Sequence, residues 1–280
     1  MTWSLFAVHI ADSILSPMWW GGGLLVAAIL IAWAAFRLAP EMIPRIGLLT
    51  AAFFVASSIH VRVGPTSVHL LLNAVVGIML GHRAALAIFQ GLILQYVLLS
   101  HGGITSVGVN VCILTIPGMI GGLLFPLLIR WKFLQSRFAR WVMVSVSAFV
   151  FLVLASASVE LLIAQQRGEL KLFALEWDQM ATLRPIWLSV WGVVALVFGW
   201  LEREWENSPT FPLGLLIGVM VASLTVVANF VVLLLGGEDD WRTLAVLVLM
   251  AHLPIIALEG IITGFTVSFL MKVKPELLRV

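Results

Sequence analysis

Charged residues are scarce in this sequence, since Lys, Arg, Asp and Glu make up only 11% of its 280 residues. A soluble domain carries about a quarter charged residues. Hydrophobic residues reach 61%, and the mean hydropathy is +1.10. The shortage of charge therefore excludes a soluble globular protein and a disordered chain. The long apolar runs indicate instead a chain whose solvent is a lipid bilayer.

The sequence has only one cysteine and lacks several catalytic motifs. The single cysteine, Cys112, excludes a disulfide framework and any zinc site built from cysteines. The sequence has no GxxxxGK(S/T) phosphate loop, so the chain is not expected to hydrolyse ATP by itself. It also lacks HExxH and any Ser-His pairing motif, which argues against an intramembrane hydrolase. The net charge of only +2 argues against a nucleic-acid partner.

The apolar runs predict an all-α fold, a polytopic membrane bundle with about seven to nine transmembrane segments. A helix that crosses a bilayer needs about 20 mostly apolar residues. Segment 66–81 is short for a full span. The nine candidate segments are 18–38, 44–60, 66–81, 83–100, 109–129, 141–164, 185–201, 212–236 and 243–271.

Basic residues predict the orientation of the bundle. Lys and Arg cluster within 130–140 and 272–279, and four predicted spans separate the clusters, so both can face the cytoplasm. Residues 1–17 then lie outside. The first seven residues carry no positive charge, unlike a signal peptide, so this segment is expected to belong to the mature bundle.

Histidine is the main chemical signal. Imidazole is the commonest metal-binding side chain and suits nickel, cobalt, copper and zinc. A single membrane histidine is more often an interfacial or interhelical residue, but convergence of four on one face favours a metal site. His82 is predicted inside, and His252 lies within the last span. The four histidines predicted at or near the outer face are His9, His60, His69 and His101.

Other polar and small residues in the spans have mainly structural interpretations. Glu160 and Glu259 are intramembrane carboxylates, which are usually functional or paired. Glu160 is expected to reach water at the outer end of its helix, and Glu259 to form a structural pair. The pairs Gly77/Gly81 and Gly118/Gly122 allow close helix approach, either as an internal packing face or as a docking face for a partner.

Four stretches of the sequence each contain a histidine with small and apolar neighbours. They are HIADSILSP at 9–17, GPTSVHLL at 64–71, HGGITSVGVN at 101–110, and HLPIIALEGIIT at 252–263 followed by VKPELL at 273–278. In this order they resemble the cobalt/nickel substrate-binding components of energy-coupling factor transporters, the CbiM/NikM family. The likeness covers about residues 1–165 and 243–280.

The resemblance implies that the N-terminal segment inserts towards the bundle and chelates the metal. In the family, the α-amine, the next backbone amide nitrogen, a histidine Nδ1 and a second histidine form a square plane of four nitrogens. That geometry is typical of Ni(II) or Cu(II). Carried over, the side-chain ligands are His9 and His69. The residues expected to orient imidazoles or brace the loop are Asp12, Thr66, Ser67 and Asn110.

The sequence departs from the family at its start. Eight residues precede His9, whereas the family's histidine is the second residue of the mature chain. Three explanations are open. Val8 could be a GTG start codon, or a protease could expose Val8, and Val8 would then supply the amine. Alternatively, the site differs, and His60 or His101, which stand where the family usually has Asn and Asp, supplies the missing nitrogen.

Residues 1–280 are expected to form a single membrane domain, with 1–17 as its extracytoplasmic metal-binding segment. Region 166–242 is expected to be an extra helical hairpin relative to the family, in a docking or structural role. It could stand in for a small accessory subunit.

The resemblance implies a multi-pass subunit in the bacterial cytoplasmic membrane that captures Ni(II) or Co(II) as a transported substrate, without a catalytic cofactor. Its partners would be a membrane coupling (T) subunit, two cytoplasmic ATPase subunits and a small accessory membrane subunit. The alternative is a self-sufficient secondary transporter that uses Glu160 or Glu259 as a proton relay.

Overall fold

The chain folds into a bundle of α-helices, as the apolar runs predict. The computed structural model describes residues 9–63, 66–166, 182, 184–205, 210–239 and 241–278. Six segments are long and apolar enough to cross a membrane, and Pro185–Leu201 is a shorter apolar helix, which confirms a polytopic bundle. The elements are α1 (Pro17–Ala35), α2 (Ile43–Ser58), β1 (Val61–Val63), β2 (Thr66–Val68), α3 (Asn73–Leu80), α4 (Ala84–Leu99), α5 (Val107–Ile129), α6 (Arg137–Gln166), α7 (Pro185–Trp205), α8 (Thr210–Gly236) and α9 (Arg242–Val273).

Two ends of the bundle are chemically distinct. At the first end, which we call the histidine end, Ile10 hydrogen-bonds to Asn110 in the first turn of α5, and Leu15 pairs with Gly237 just beyond α8. At the opposite end, Arg83 Nη2 donates to the carbonyl oxygen of Arg37 at 3.4 Å. Helices α1, α5 and α9 begin at the histidine end and finish at the opposite end.

The predicted span 66–81 differs from the structure, because α3 covers only Asn73–Leu80 and residues 66–68 form a strand. Eight helical residues measure about 12 Å, much less than the roughly 30 Å hydrocarbon core. Gly81, with a φ of 60°, ends α3 in a conformation that favours glycine, and the chain turns back into α4. His69 precedes α3 and His101 follows α4, and their rings are only 6.0 Å apart. The chain must therefore turn back between the two helices.

Non-helical backbone before α3 lies in the protein interior, where its polar groups need partners. The amide of Leu72 donates to both carboxylate oxygens of Glu259 on α9 at 3.0 Å, and the amide of Leu71 donates to the first of them. Irregular backbone at membrane depth is tolerated only where the protein supplies such partners. Glu259 therefore has the predicted structural pairing, and its partner is backbone. Glu160 accepts hydrogen bonds from the amide and hydroxyl of Thr182 at 3.0 and 2.8 Å.

The glycine pairs predicted from the sequence form an internal face between α3 and α5. A Cβ atom added to Gly77 would lie 1.8 Å from the carbonyl oxygen of Gly118, and one added to Gly122 would lie 2.1 Å from the carbonyl oxygen of Gly77. All eight residues of α3 are buried. The two backbones thus touch without intervening side chains, and the internal-packing alternative is the one present.

Two helices, α7 and α8, occur where the hairpin within 166–242 is predicted. They pack against different parts of the bundle. Helix α7 packs on α6, where Gly199 approaches the backbone of Trp141. Helix α8 lies in the core, because Ile217 and Val221 are buried and Thr225 Oγ1 accepts a hydrogen bond from Asn73 Nδ2 at 2.8 Å. Most of the segment between the predicted spans 141–164 and 185–201 lies outside the described residues.

Candidate metal centre

The segment that carries His9 is held against α5 by paired hydrogen bonds. The amide of Ile10 donates to Asn110 Oδ1 at 2.9 Å, and Asn110 Nδ2 donates back to the carbonyl oxygen of Ile10 at 3.0 Å. Ser106 Oγ donates to the same carbonyl. One buried amide side chain thus satisfies both polar groups of the residue after His9, which fixes where that imidazole lies.

Asp12 fastens the same segment to the loop before α5. Its carboxylate accepts hydrogen bonds from the amides of Ile104 and Thr105 at 3.1 and 2.8 Å, and from the Thr105 hydroxyl. Burial by itself would raise the pKa of Asp12, but these hydrogen bonds outweigh it and lower the pKa below the ordinary carboxyl value. Further along, Ser16 donates its amide to the carbonyl oxygen of Gly236 at 2.8 Å.

A small antiparallel hairpin brings His60 and His69 together. The register pairs Val61 with Val68, with residues 64–65 outside the described part of the chain. Continuing that register by one residue places His60 opposite His69, and their ring centroids are 5.1 Å apart. Sequence reasoning missed this hairpin. Alternating β-branched residues on both sides of a Gly-Pro pair are the signal that predicts it.

His101 joins the group from the end of α4. Ser100 adopts a left-handed conformation with a φ of 51°, and the amide of His101 donates to the carbonyl oxygen of Gln95 at 3.2 Å. This turn directs the chain back towards the N-terminal segment. The ring centroids of His101 and His9 are 5.4 Å apart.

The four rings form a quadrilateral. Its sides are 4.7 Å (His9–His69), 5.1 Å (His69–His60), 4.2 Å (His60–His101) and 5.4 Å (His101–His9). A metal–nitrogen bond of about 2.1 Å puts each ring centre about 3.2 Å from a shared ion, so adjacent rings lie about 4.5 Å apart in a square plane and about 5.2 Å apart in a tetrahedron. The observed sides span these values, so a single divalent ion fits at the centre.

The nitrogen atoms are arranged as metal ligands would be. Nδ1 of His69 donates to the carbonyl oxygen of Leu70 at 2.9 Å, and Nδ1 of His60 donates to that of Ser58 at 2.8 Å. A neutral ring held in this way presents a lone pair at Nε2. Nε2 of His60 lies 3.2 Å from Nε2 of His101, a separation expected for two ligands of one ion.

Unpartnered nitrogens point to the same conclusion. Among the described residues, nothing hydrogen-bonds to Nε2 of His69 or to either ring nitrogen of His9, although both side chains are buried. A buried polar atom without a partner costs free energy, and each specific instance calls for an explanation. One ligand nitrogen from each of His9, His69 and His101 lies within 4.8 Å of the others.

Burial keeps these imidazoles neutral. It lowers the pKa of His69 to about 3 and that of His101 to about 4, and it lowers the pKa of His9 well below the ordinary value of 6.5. Neighbouring histidines lower all three further. Neutral imidazole is the form that binds metals, so the centre is ready to bind without releasing protons from these rings.

The structure thus brings together His9, His60, His69 and His101 of the predicted set. Asp12 and Asn110 brace the N-terminal segment. Ser67 is buried, and its hydroxyl has no hydrogen-bond partner in the described chain. Thr66 lies in β2, and Val8 lies outside the described residues. His82 is remote, since it stacks on Trp33 at 5.0 Å.

Comparison with known proteins gives matches to metal transporters. A family profile described as "CbiM: Cobalt uptake substrate-specific transmembrane region" matches residues 9–202 and 185–277. The chain is 40% identical over 119 residues to a "Putative metal transport protein" of Haemophilus influenzae, covering 42% of this chain and 57% of that protein. It is 28% identical over 173 residues to a "Putative fused cobalt transport protein CbiMQ" of Methanocorpusculum labreanum, covering 58% of this chain and 29% of that protein. The matched part is thus under two thirds of the length of either relative.

Solved structures share the fold. The crystal structure of a transition metal transporter superposes with a TM-score of 0.54 at 16% identity, covering 95% of this chain and 93% of that one. A truncated transition metal transporter superposes with a TM-score of 0.50 at 15% identity, covering 94% and 98%. At these identities the similarity concerns the architecture of the bundle.

Proposed function

Because the chain belongs to the CbiM family of cobalt-uptake substrate-specific transmembrane proteins, we propose that it captures Co(II) or Ni(II) for import by an ATP-driven complex. The observation that carries this proposal is the convergence of four imidazoles from four chain segments around a space that fits one ion. His9 and His69 are buried, whereas His60 and His101 are half-buried and lie on the more accessible side.

His60 and His101 provide the third and fourth nitrogens in this proposal. Their Nε2 atoms are 3.2 Å apart, and together with His9 and His69 they offer four side-chain nitrogens. The ion then needs neither a backbone amide nor the amine of Val8. The quadrilateral sides, from 4.2 to 5.4 Å, span the square-planar and tetrahedral values and suit both Ni(II) and Co(II).

The distribution of basic residues supports capture from outside the cell. Arg37, Arg83, Arg130 and Lys272 lie at helix ends away from the histidine end. Positive residues prefer the cytoplasmic side, so the histidine end faces outward in a bacterial cytoplasmic membrane. Residues 1–17 are then the extracytoplasmic metal-binding segment of one membrane domain.

The proposed partners are a membrane coupling subunit, two cytoplasmic ATPase subunits and a small accessory membrane subunit. One relative is named as a fused cobalt transport protein, which supports a membrane partner. We propose that region 166–242 is an addition to the family's usual bundle, and that α7 is its exposed part. Ile186 and Val193 of α7 are 70% and 61% exposed, as expected for a surface that meets lipid or a subunit.

Uptake of radioactive cobalt and nickel by whole cells tests the proposed function. Deleting the gene for the chain is expected to abolish high-affinity uptake, and deleting the ATPase genes is expected to have the same effect. Uptake that survives loss of every ATPase would support the secondary-transporter alternative. Glu160→Gln and Glu259→Gln would then test the secondary transporter, because a proton relay requires an ionisable group at one of these positions. Uptake would be lost in at least one of the two variants.

The pH dependence of metal binding separates the imidazole site from a chelate that includes a backbone amide. With the pKa of His69 at about 3 and that of His101 at about 4, these ligands stay neutral far below the pKa of a free imidazole. Protonation of His69 and His101 is therefore expected to weaken the Ni(II) affinity measured by calorimetry only below about pH 5.

An amide ligand must lose its proton when it binds, so affinity would fall by about tenfold for each pH unit and each proton released. A steady decline of that kind between pH 7.5 and pH 6 would contradict the four-imidazole site. Calorimetry in buffers with different ionisation enthalpies counts the released protons directly and serves as the control.

A further inference from the structure

A fifth histidine, His252 on α9, lies next to the candidate metal centre. Its side chain is completely buried. It is among the groups whose charge lowers the pKa of His9 and of His69, so it is electrostatically close to both rings.

The contacts around His252 place it against the strand that leads to His69. Val68 packs in one apolar cluster with Ala251 and Ile255, and Leu70 packs against that cluster. Val68 and Leu70 flank His69 in the sequence, and Ala251 precedes His252, so the two histidines sit at one helix–strand contact.

The ring of His252 is oriented by one hydrogen bond at Nδ1, as the ring of a metal-binding histidine usually is, and its other nitrogen is unpartnered among the described residues. Nδ1 donates to the carbonyl oxygen of Val248 at 2.7 Å, so the neutral ring presents a lone pair at Nε2. That Nε2 atom is buried and has no hydrogen-bond partner in the described chain. Among the described residues, no ring of the quadrilateral contacts the ring of His252. His252 therefore lies beyond the capture set.

Glu259 lies on the same face of α9, seven residues and about two turns further from the histidine end. Its recorded partners are the amides of Leu71 and Leu72, and no basic side chain pairs with it among the described residues. A buried carboxylate attracts a dication over several ångströms, because the interior screens charge weakly. A cation that leaves the centre along α9 thus meets an imidazole first and a carboxyl group next.

We propose that His252 is a transfer ligand, which takes over the captured ion when it moves inward from the outer histidines. In this step Nε2 of His252 forms a bond to the metal while an outer imidazole, that of His60 or His101, releases it, and His69 stays bound throughout. One metal–nitrogen bond replaces another, and no proton or electron is exchanged. The inference rests on the proposed capture function and adds a second position for the metal ion within the bundle.

His252→Asn tests this step, because the asparagine amide retains a donor for the Val248 carbonyl but lacks a nitrogen at the position of Nε2. For the purified full chain, affinity for Co(II) is expected to change by less than about threefold, which is a small fraction of the binding free energy. Uptake of radioactive cobalt by cells with the complete native transporter is expected to fall by at least about tenfold, the scale of losing a tuned ligand contact. His82→Asn, at the opposite end of the bundle, is the matched control.

A second pair of variants separates ligation from packing. Cys and Ser have nearly the same size, but only Cys offers a strong metal-binding atom. His252→Cys is therefore expected to keep several times more uptake than His252→Ser, whether or not the Asn variant folds.

Three results would overturn the transfer role. They are wild-type uptake in His252→Asn, a loss of Co(II) affinity in His252→Asn as large as in His69→Ala, or equal uptake by the Cys and Ser variants. Failure of the capture function itself is distinguishable, because the wild-type chain would then bind neither Co(II) nor Ni(II).

Discussion

Replacement of His69 by alanine is expected to lower the affinity for Co(II) and Ni(II) by at least about a hundredfold, or about 2.7 kcal/mol of binding free energy. His69 is buried, its Nδ1 is occupied by the Leu70 carbonyl, and its Nε2 has no partner among the described residues. The substitution removes one of four ligands and leaves the ion three side-chain nitrogens. Calorimetry and elemental analysis of the purified chain measure the loss.

His82→Ala is the control for this prediction, because that ring stacks on Trp33 far from the centre. His9→Ala is expected to behave like His69→Ala, since both rings are buried in the quadrilateral. His60→Ala tests the part of the site that departs from the family and is expected to weaken binding by about tenfold or more. Unchanged metal content in both His9→Ala and His69→Ala would refute the site.

Gly77→Ala is expected to destabilise the bundle strongly. The added Cβ would lie 1.8 Å from the carbonyl oxygen of Gly118, which is backbone and has no rotamer to relieve the clash. Forcing a methyl group into a packed interface costs about 1–3 kcal/mol and occasionally more. For a chain of this size that corresponds to a lower unfolding midpoint by roughly 2–4 °C for each kcal/mol. Thermal unfolding in detergent micelles measures it.

Gly47→Ala is the matched control, because a Cβ added to Gly47 on α2 meets nothing within 4 Å. Alanine there favours helix by about 1 kcal/mol relative to glycine, so stability is expected to rise or stay level. A Gly77→Ala protein that unfolds at the wild-type temperature would show that α3 and α5 separate readily, contrary to their close backbone contact.

Helices were the most predictable part of this protein. Eight of the nine candidate spans coincide with helices to within a few residues at each end, because an apolar run of that length has few other solutions in a bilayer. The exception is 66–81. Its apolar residues suit either a helix or buried extended backbone. The choice depends on Glu259, which accepts hydrogen bonds from the amides of Leu71 and Leu72, 188 and 187 residues away in the sequence.

The sequence by itself determined that the chain is a helical membrane bundle and that His9, His60, His69 and His101 belong to one end of it. Those properties follow from apolar length, from the placement of Lys and Arg and from a shared pattern of motifs, all of which are local in the chain. Only the tertiary structure decided that the four rings meet around one space, which nitrogens are free, and that His252 lies next to them. Distances between distant chain segments depend on helix packing and on single anchors such as Asn110, and no local pattern encodes them.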